Sequence, residues 1–254
     1  MSAVGDSLER VRRQIAEAAR RAGRDPGDVR LVAVSKMVPV PLIRDALAAG
    51  QRDFGENRVH EAAAKYKELG TEARWHFVGR LQRNKVRYLV GWVDLIHSLD
   101  RAELATEIDR RAGRPVEVLV EVNVSEDSTR GGVQPAGLMP LLETASALPN
   151  LRVVGLMAMA PVVGAPEQAR PFFRRLAGLR DEAAQRLPDV PIRHLSMGMS
   201  QDYTVAVEEG ATLVRIGEAI FGRRPARAGD EEPVGTDART DVGAASNVRG
   251  KVTS

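Results

Sequence analysis

Short apolar runs alternate with amphipathic helical stretches along most of this chain, and the first of those runs ends on a lysine. Ahead of it, residues 6–22 place Leu8, Val11, Ile15, Ala18, Ala19 and Ala22 on one helical face, with Gly23 as the stop. The run itself, 29–36, reads Val-Arg-Leu-Val-Ala-Val-Ser-Lys. Further strand-like runs follow at 52–56, 75–79, 94–97, 116–123, 153–159, 192–196 and 213–216. Helical stretches separate them at 42–49, 58–69, 84–90, 100–112, 136–147, 167–185 and 201–209, with Asp100 and Glu103 at capping-box spacing. Strands alternating with helices predict a parallel sheet. Eight of them within roughly 220 residues predict a single closed (β/α)8 barrel of the α/β class, with an extra N-terminal helix. A doubly wound open sheet is the alternative. The barrel is expected over 1–225. Residues 226–254, rich in Gly, Ala, Asp, Arg and Thr without a periodic apolar face, are expected to form a disordered polar tail.

Composition narrows the chemistry. Hydrophobic residues make up 43% of the 254 and aromatics only 4%, so the core is built mainly from Leu, Val, Ile and Ala. There is no cysteine, which excludes disulfides, thiolate catalysis and cysteine-ligated metals and fits a reducing compartment. Four histidines (His60, His76, His97, His194) include no close ligand pair, so no metal site is expected. A net charge of +3 is not the footprint of a nucleic-acid binder. No leader pattern and no long apolar run are present, so a soluble cytoplasmic protein with no membrane contact is expected.

Lys36 is the residue that changes the picture. Burying an ammonium group costs several kcal/mol, so a buried strand has no ordinary use for one. Held at the mouth of a strand and partly shielded from water, a lysine becomes a nucleophilic amine able to form a Schiff base with an aldehyde. A strand-end lysine pointing into solvent is the simpler reading of this residue alone. In a parallel barrel the active site lies at the carboxyl ends of the strands. There, after the seventh strand, stands Ser196-Met197-Gly198-Met199-Ser200-Gln201-Asp202. Small residues let backbone N–H groups approach an anion, and the helix that follows adds its positive end. Arg215-Ile216-Gly217 ends the eighth strand beside it. An arginine forks onto phosphate oxygens, and glycine permits close approach. A phosphate-bearing aldehyde satisfies both halves of this arrangement, and pyridoxal 5′-phosphate (PLP) carries both groups.

With these residues in view, the chain resembles the pyridoxal-phosphate homeostasis protein family, whose fold is similar to the barrel domain of alanine racemase. The matching stretches are Val34-Ser35-Lys36, Phe54-Gly55-Glu56-Asn57, Trp75-His76-Phe77-Val78-Gly79 with Leu81-Gln82-Arg83-Asn84-Lys85, Gly155-Leu156-Met157-Ala158, Ser196-Met197-Gly198-Met199-Ser200 with Asp202, and Arg215-Ile216-Gly217. The resemblance implies that Lys36 carries PLP as a Schiff base and that Ser196, Met197, Ser200 and Gly217 line the phosphate. It puts Asn57 near the ring and counts Met157 and Arg215 among the cofactor-binding residues, without assigning Arg215 to phosphate or ring. Residues 125–132 match only loosely a family loop that carries a basic residue before glycine, so no role passes to Arg130.

Two functions share such a site. One is a PLP-dependent racemase-like enzyme, which needs acid–base groups on both faces of its substrate. In alanine racemases the second group is a tyrosine from a further, mostly β domain, for which this chain leaves no room. Of the three tyrosines only Tyr203 follows the phosphate loop, and packing is its simpler role. The other function, which the family implies, is non-catalytic: intracellular vitamin B6 homeostasis by a monomer that buffers PLP or delivers it to PLP-dependent apoenzymes. Finally, Arg80, Arg83, Lys85 and Arg87 form a basic run. A solvated face is the simplest account; contact with RNA, a membrane or a partner, and a second cofactor-holding patch used in transfer, are the others.

Overall fold

This computed structural model describes residues 2–222 other than 126 and 128. The expected tail at 226–254 lies outside the described residues. Eight parallel strands pair in chain order: β1 (Arg30–Val34), β2 (Asp53–Glu56), β3 (Arg74–Phe77), β4 (Leu95–Leu99), β5 (Val116–Glu121), β6 (Leu151–Met157), β7 (His194–Ser196) and β8 (Leu213–Ile216). β8 returns to pair with β1, Val32 opposite Arg215, so the sheet is a closed barrel and not an open one. Strand side chains alternate between two faces. Val32, Leu95, Leu119, Val154, Met157 and Leu213 form one buried apolar cluster, the barrel interior. Leu31, Ala33, Phe54 and Trp75, among others, point outward into the larger core under the helices.

The helices are α1 (Ala3–Arg21), α2 (Val40–Ala48), α3 (Val59–Leu69), α4 (Ala102–Arg111), α5 (Pro135–Ser146), α6 (Arg170–Arg186), α7 (Tyr203–Glu208) and α8 (Glu218–Phe221). α8 is a single turn. The extra helix α1 packs against α7, α8 and α2, burying Leu8, Val11 and Ile15 there. Each such side chain removed from water contributes about 1.5–3 kcal/mol. α1 starts earlier than the pattern predicts, because the Ser2 hydroxyl accepts the Gly5 N–H at 3.2 Å and caps it. Ala22, expected on the apolar face, is the exposed C-cap.

Other local expectations fail for identifiable reasons. The capping box at Asp100 and Glu103 does not form: Arg101 is the N-cap of α4, and the Asp100 carboxylate accepts instead from the Arg101 guanidinium. Residues 84–90 are not an α-helix; Arg83–Tyr88 is a 3-10 segment. α7 begins at Tyr203, because the preceding residues belong to the loop described below. No described helix is long and apolar enough to cross a membrane.

Candidate functional site

β1 ends at Val34, but its ladder runs one residue further: the Ser35 N–H donates to the Gly55 carbonyl at 2.9 Å. The Val38 N–H then donates to the Ser35 carbonyl at 2.9 Å and closes a turn over Lys36 and Met37. Val34 lies opposite Gly55, so half-buried Lys36 stands level with Asn57 across the strand pair. A Cβ at Gly79 would lie 2.4 Å from the Asn57 carbonyl oxygen, so the segment just after β3 passes Asn57 at a distance only glycine allows. Met37 has φ 59°, a left-handed conformation that costs of order 1–3 kcal/mol outside glycine. Its N–H is held by the Glu61 carboxylate.

A buried lysine organises this turn from below. Lys65, on α3, donates to the Ser35 carbonyl at 2.6 Å, to Glu56 Oε1 at 2.8 Å and to Glu61 Oε1 at 2.7 Å. All three ammonium protons are thereby satisfied. The Ser35 hydroxyl also donates to Glu56 Oε1, at 2.6 Å. Burial pushes the Glu56 carboxyl up against the opposing pull of Lys65. The residues before and after Lys36 are thus tied to one charged cluster, with both Lys65 and Glu56 almost wholly removed from solvent.

Two strands away on the same rim, residues 197–202 form the loop between β7 and α7. Gly198 has φ 90°, and a Cβ there would lie 2.6 Å from the Ala206 Cβ. Its carbonyl accepts the Arg215 N–H at 3.0 Å, locking the loop onto β8. The Met199 N–H donates to the Asp202 carboxylate at 2.6 Å. Ser200 does not cap α7; its hydroxyl accepts the Ala219 N–H at 3.3 Å, beside Gly217 at the head of α8. Gly198→Ala is expected to reduce PLP retention at least about tenfold, or roughly 1.4 kcal/mol. Left-handed backbone and a blocked approach both oppose the new methyl. Equilibrium dialysis measures the loss, and unchanged retention would remove this loop from the site.

The side chains of Ser196 and Arg215 turn inward. Arg215 is 5% exposed and donates through Nη1 to the Ser196 hydroxyl at 2.5 Å and through Nη2 to the Ala158 carbonyl at 3.0 Å. Burial brings its pKa down to about 10, with Glu121 and Asp202 opposing, so the guanidinium stays charged at neutral pH. The Ser196 hydroxyl lies 2.8 Å from His97 Nδ1; His97 Nε2 lies 2.9 Å from His76 Nδ1; His76 Nε2 lies 3.0 Å from Asp53 Oδ1. The partners assign the tautomers. Arg215 donates to Ser196, Ser196 to His97, His97 to His76, and His76 to the Asp53 carboxylate. A single directional chain of hydrogen bonds crosses the barrel interior.

Burial, with the charge of Arg215 nearby, holds fully buried His97 well below the ordinary histidine pKa. The unfolded chain therefore binds a proton near pH 6.5 that the folded chain refuses. The neutral imidazole contributes fully above that pH, and stability falls as pH drops below it, by about 1.4 kcal/mol per unit. Between pH 7 and pH 5 wild type is expected to lose more stability than His97→Gln. Urea midpoints at the two pH values measure this, and parallel losses would contradict it.

The sequence-predicted residues therefore divide. Lys36, Asn57, Ser200 and Gly217 stand at the strand ends. Met157 pairs with Ser196 in register and belongs to the interior cluster. The Met197 side chain is buried in the outer core and its N–H donates to the Leu213 carbonyl, so it does not reach the mouth. Tyr203 points away: its hydroxyl donates to Gln14 of α1 at 2.5 Å. The residues that sequence reading missed are Asp53, His76 and His97 inside the barrel, and Lys65 with Glu56 and Glu61 below the turn. The signal for Asp53, His76 and His97 was polar side chains on the inward parity of strands, which Glu56, Glu61 and Lys65 do not share.

A half-buried lysine just past β1 and a glycine loop two strands away on the same rim of a closed parallel barrel define a protein of the alanine racemase barrel class. The family model described as "Alanine racemase, N-terminal domain" matches residues 7–225. The chain is 50% identical over 223 residues to the pyridoxal phosphate homeostasis protein of Aquifex aeolicus, covering 86% of this chain and 97% of that one. The chain belongs to the pyridoxal phosphate homeostasis protein family. The structure of PipY from Synechococcus elongatus with PLP bound superposes with a TM-score of 0.74 at 41% identity, over 82% of this chain and 100% of that one. Alanine racemase from Corynebacterium glutamicum shares the fold at a TM-score of 0.61 and 18% identity, over 89% of this chain and 62% of the racemase.

Proposed function

We propose that this protein holds pyridoxal 5′-phosphate as a Schiff base on Lys36 and serves vitamin B6 homeostasis in the cytoplasm. As a monomer it buffers the cofactor or delivers it to PLP-dependent apoenzymes, without turnover and without engaging nucleic acid or membrane. The observation that carries this reading is the placement of half-buried Lys36, just past β1, on the same rim as the Gly198 loop, only two strands away around the closed barrel. The donor set fits the cofactor: an amine for its aldehyde, and a loop whose close approach a Cβ would block. The resident family and the PLP-bound PipY structure support the choice of ligand.

In this reading Ser200 and Gly217 hold the phosphate and Asn57 borders the ring, whereas the Met197 N–H is already given to the Leu213 carbonyl and the Ser196 hydroxyl to His97. Arg215 lies on the ring side, because two of its N–H groups are directed at Ser196 and the Ala158 carbonyl inside the barrel. Met157 packs beneath it. Bound PLP supplies an aldehyde that accepts an amine; the protein orients it and limits water. The racemase alternative needs a second acid–base group, and the orientation of Tyr203 toward Gln14 argues against its supplying one.

The test is a paired assay on PLP-loaded protein. The cofactor is expected to survive dialysis at one equivalent, to pass to an apoenzyme, and to racemise L-alanine no faster than free PLP. Racemisation well above free PLP would replace the carrier reading with the enzymatic one.

A further inference from the structure

We propose that the open cleft beside the ends of β2 and β3 is a second anion site, which takes a phosphate monoester of vitamin B6 size and stages it next to Lys36. This deepens the reading given above and rests on it. The cleft has a volume of about 960 Å³ and is lined by Asn57, Arg58, Arg80, Arg83, Lys85 and Arg101, among others. These cations come from separate segments. Arg58 is the N-cap of α3, Arg80 lies in the loop after β3, Arg83 and Lys85 belong to the 3-10 segment, and Arg101 is the N-cap of α4.

Charge compensation is incomplete there. Among the described residues Arg58, Arg80, Arg83 and Lys85 form no ion pair with a carboxylate, although ion pairs are frequent elsewhere on this surface. Arg101 is paired with Asp100. The carboxylate in the lining, Glu61, already serves Lys65 and the Met37 N–H. Lys85 has its Nζ 3.1 Å from His60 Nε2, a neutral acceptor that brings no negative charge. Four like charges gathered on one concave surface repel each other, and an anion that binds among them relieves the repulsion. Guanidinium groups add forked donors matched to phosphate oxygens.

Shape and position select the ligand. A concave site of this volume is of small-molecule size, whereas nucleic-acid binders spread their charge along a face. The cleft also opens onto Asn57, which the β1–β2 register places level with Lys36. A phosphate ester held there is a neighbour of the imine-forming amine and separate from the Gly198 loop. Cofactor arriving at or leaving Lys36 would pass through it.

The probe is pyridoxamine 5′-phosphate, which carries the phosphate but no aldehyde and forms no imine with lysine. It is titrated by calorimetry into full-length protein whose PLP has been fixed on Lys36 by borohydride. The same titration is run on Lys36→Ala, which needs no fixed adduct. One further equivalent is expected to bind the reduced protein, at least tenfold more weakly in Arg83→Gln/Lys85→Gln. The double variant is also expected to keep its Lys36 adduct but to release unreduced PLP several-fold more slowly. No binding to the reduced protein, or equal binding to the double variant, would overturn the proposal. So would salt-dependent binding of an RNA oligonucleotide or an acidic polypeptide at this cleft with no binding of pyridoxamine 5′-phosphate. Failure of any adduct to form on Lys36 is a different result: it overturns the Lys36 reading, and comparison of Lys36→Ala with Lys36→Ala/Arg83→Gln/Lys85→Gln in the same titration still decides whether the cleft binds the phosphate.

Discussion

Lys36→Ala abolishes the imine absorption band of PLP-loaded protein and raises the dissociation constant for PLP at least about a hundredfold, or roughly 3 kcal/mol. The argument is one of position. Lys36 follows a strand whose inward residues line the barrel, and it stands in a turn closed at 2.9 Å by the Val38 N–H and the Ser35 carbonyl. Neighbouring lysines do not substitute for it: Lys65 directs its three donors to Ser35, Glu56 and Glu61, and Lys85 faces His60 in the cleft. The alanine variant should fold normally, because a half-buried turn residue leaves no cavity in the core. Retained phosphate contacts leave weak, non-covalent PLP binding. A variant that keeps both the band and the affinity would move the reactive amine elsewhere.

Lys65→Met lowers stability by about 3–5 kcal/mol, because it strands the Glu56 carboxylate in a site only 1% exposed. For a chain of this size that corresponds to a fall in Tm of roughly 6–20 °C. It also removes one of the two donors to the Ser35 carbonyl immediately before Lys36, leaving the Val38 N–H, so the folded variant should form its PLP adduct several-fold more slowly. Adding Glu56→Gln removes the stranded charge and is expected to restore at least about 1 kcal/mol, since residues in contact couple by amounts of that order. Thermal unfolding of the single and double variants measures both effects. A Tm change under about 2 °C for Lys65→Met would show that the cluster does not support the turn.

The barrel was legible because its signal is periodic and repeated: each strand is a short apolar run and nearly every connection an amphipathic helix. Lys36, the Gly198 loop and Arg215-Gly217 were legible for a related reason. Barrel topology brings strand ends together, so residues distant in sequence could be assigned to one rim before any distance was known. What escaped was side-chain direction. Ser196 reads as a phosphate donor in the motif, yet its hydroxyl is bonded to His97 and Arg215 in the interior. Asp53, His76 and His97 looked like isolated polar residues because their hydrogen bonds join different strands. The capping box failed because Arg101 competed for Asp100, a tertiary choice that spacing does not encode. Lys65 sits mid-helix among Ala and Glu residues, where nothing local separates a buried lysine from a solvated one.

The most direct test of the central claim is borohydride reduction of wild-type protein loaded with PLP, followed by peptide mass mapping. The account predicts one pyridoxyl group per chain, on the peptide containing Lys36. A modification confined to other lysines, or a protein left unmodified in excess PLP, would contradict it.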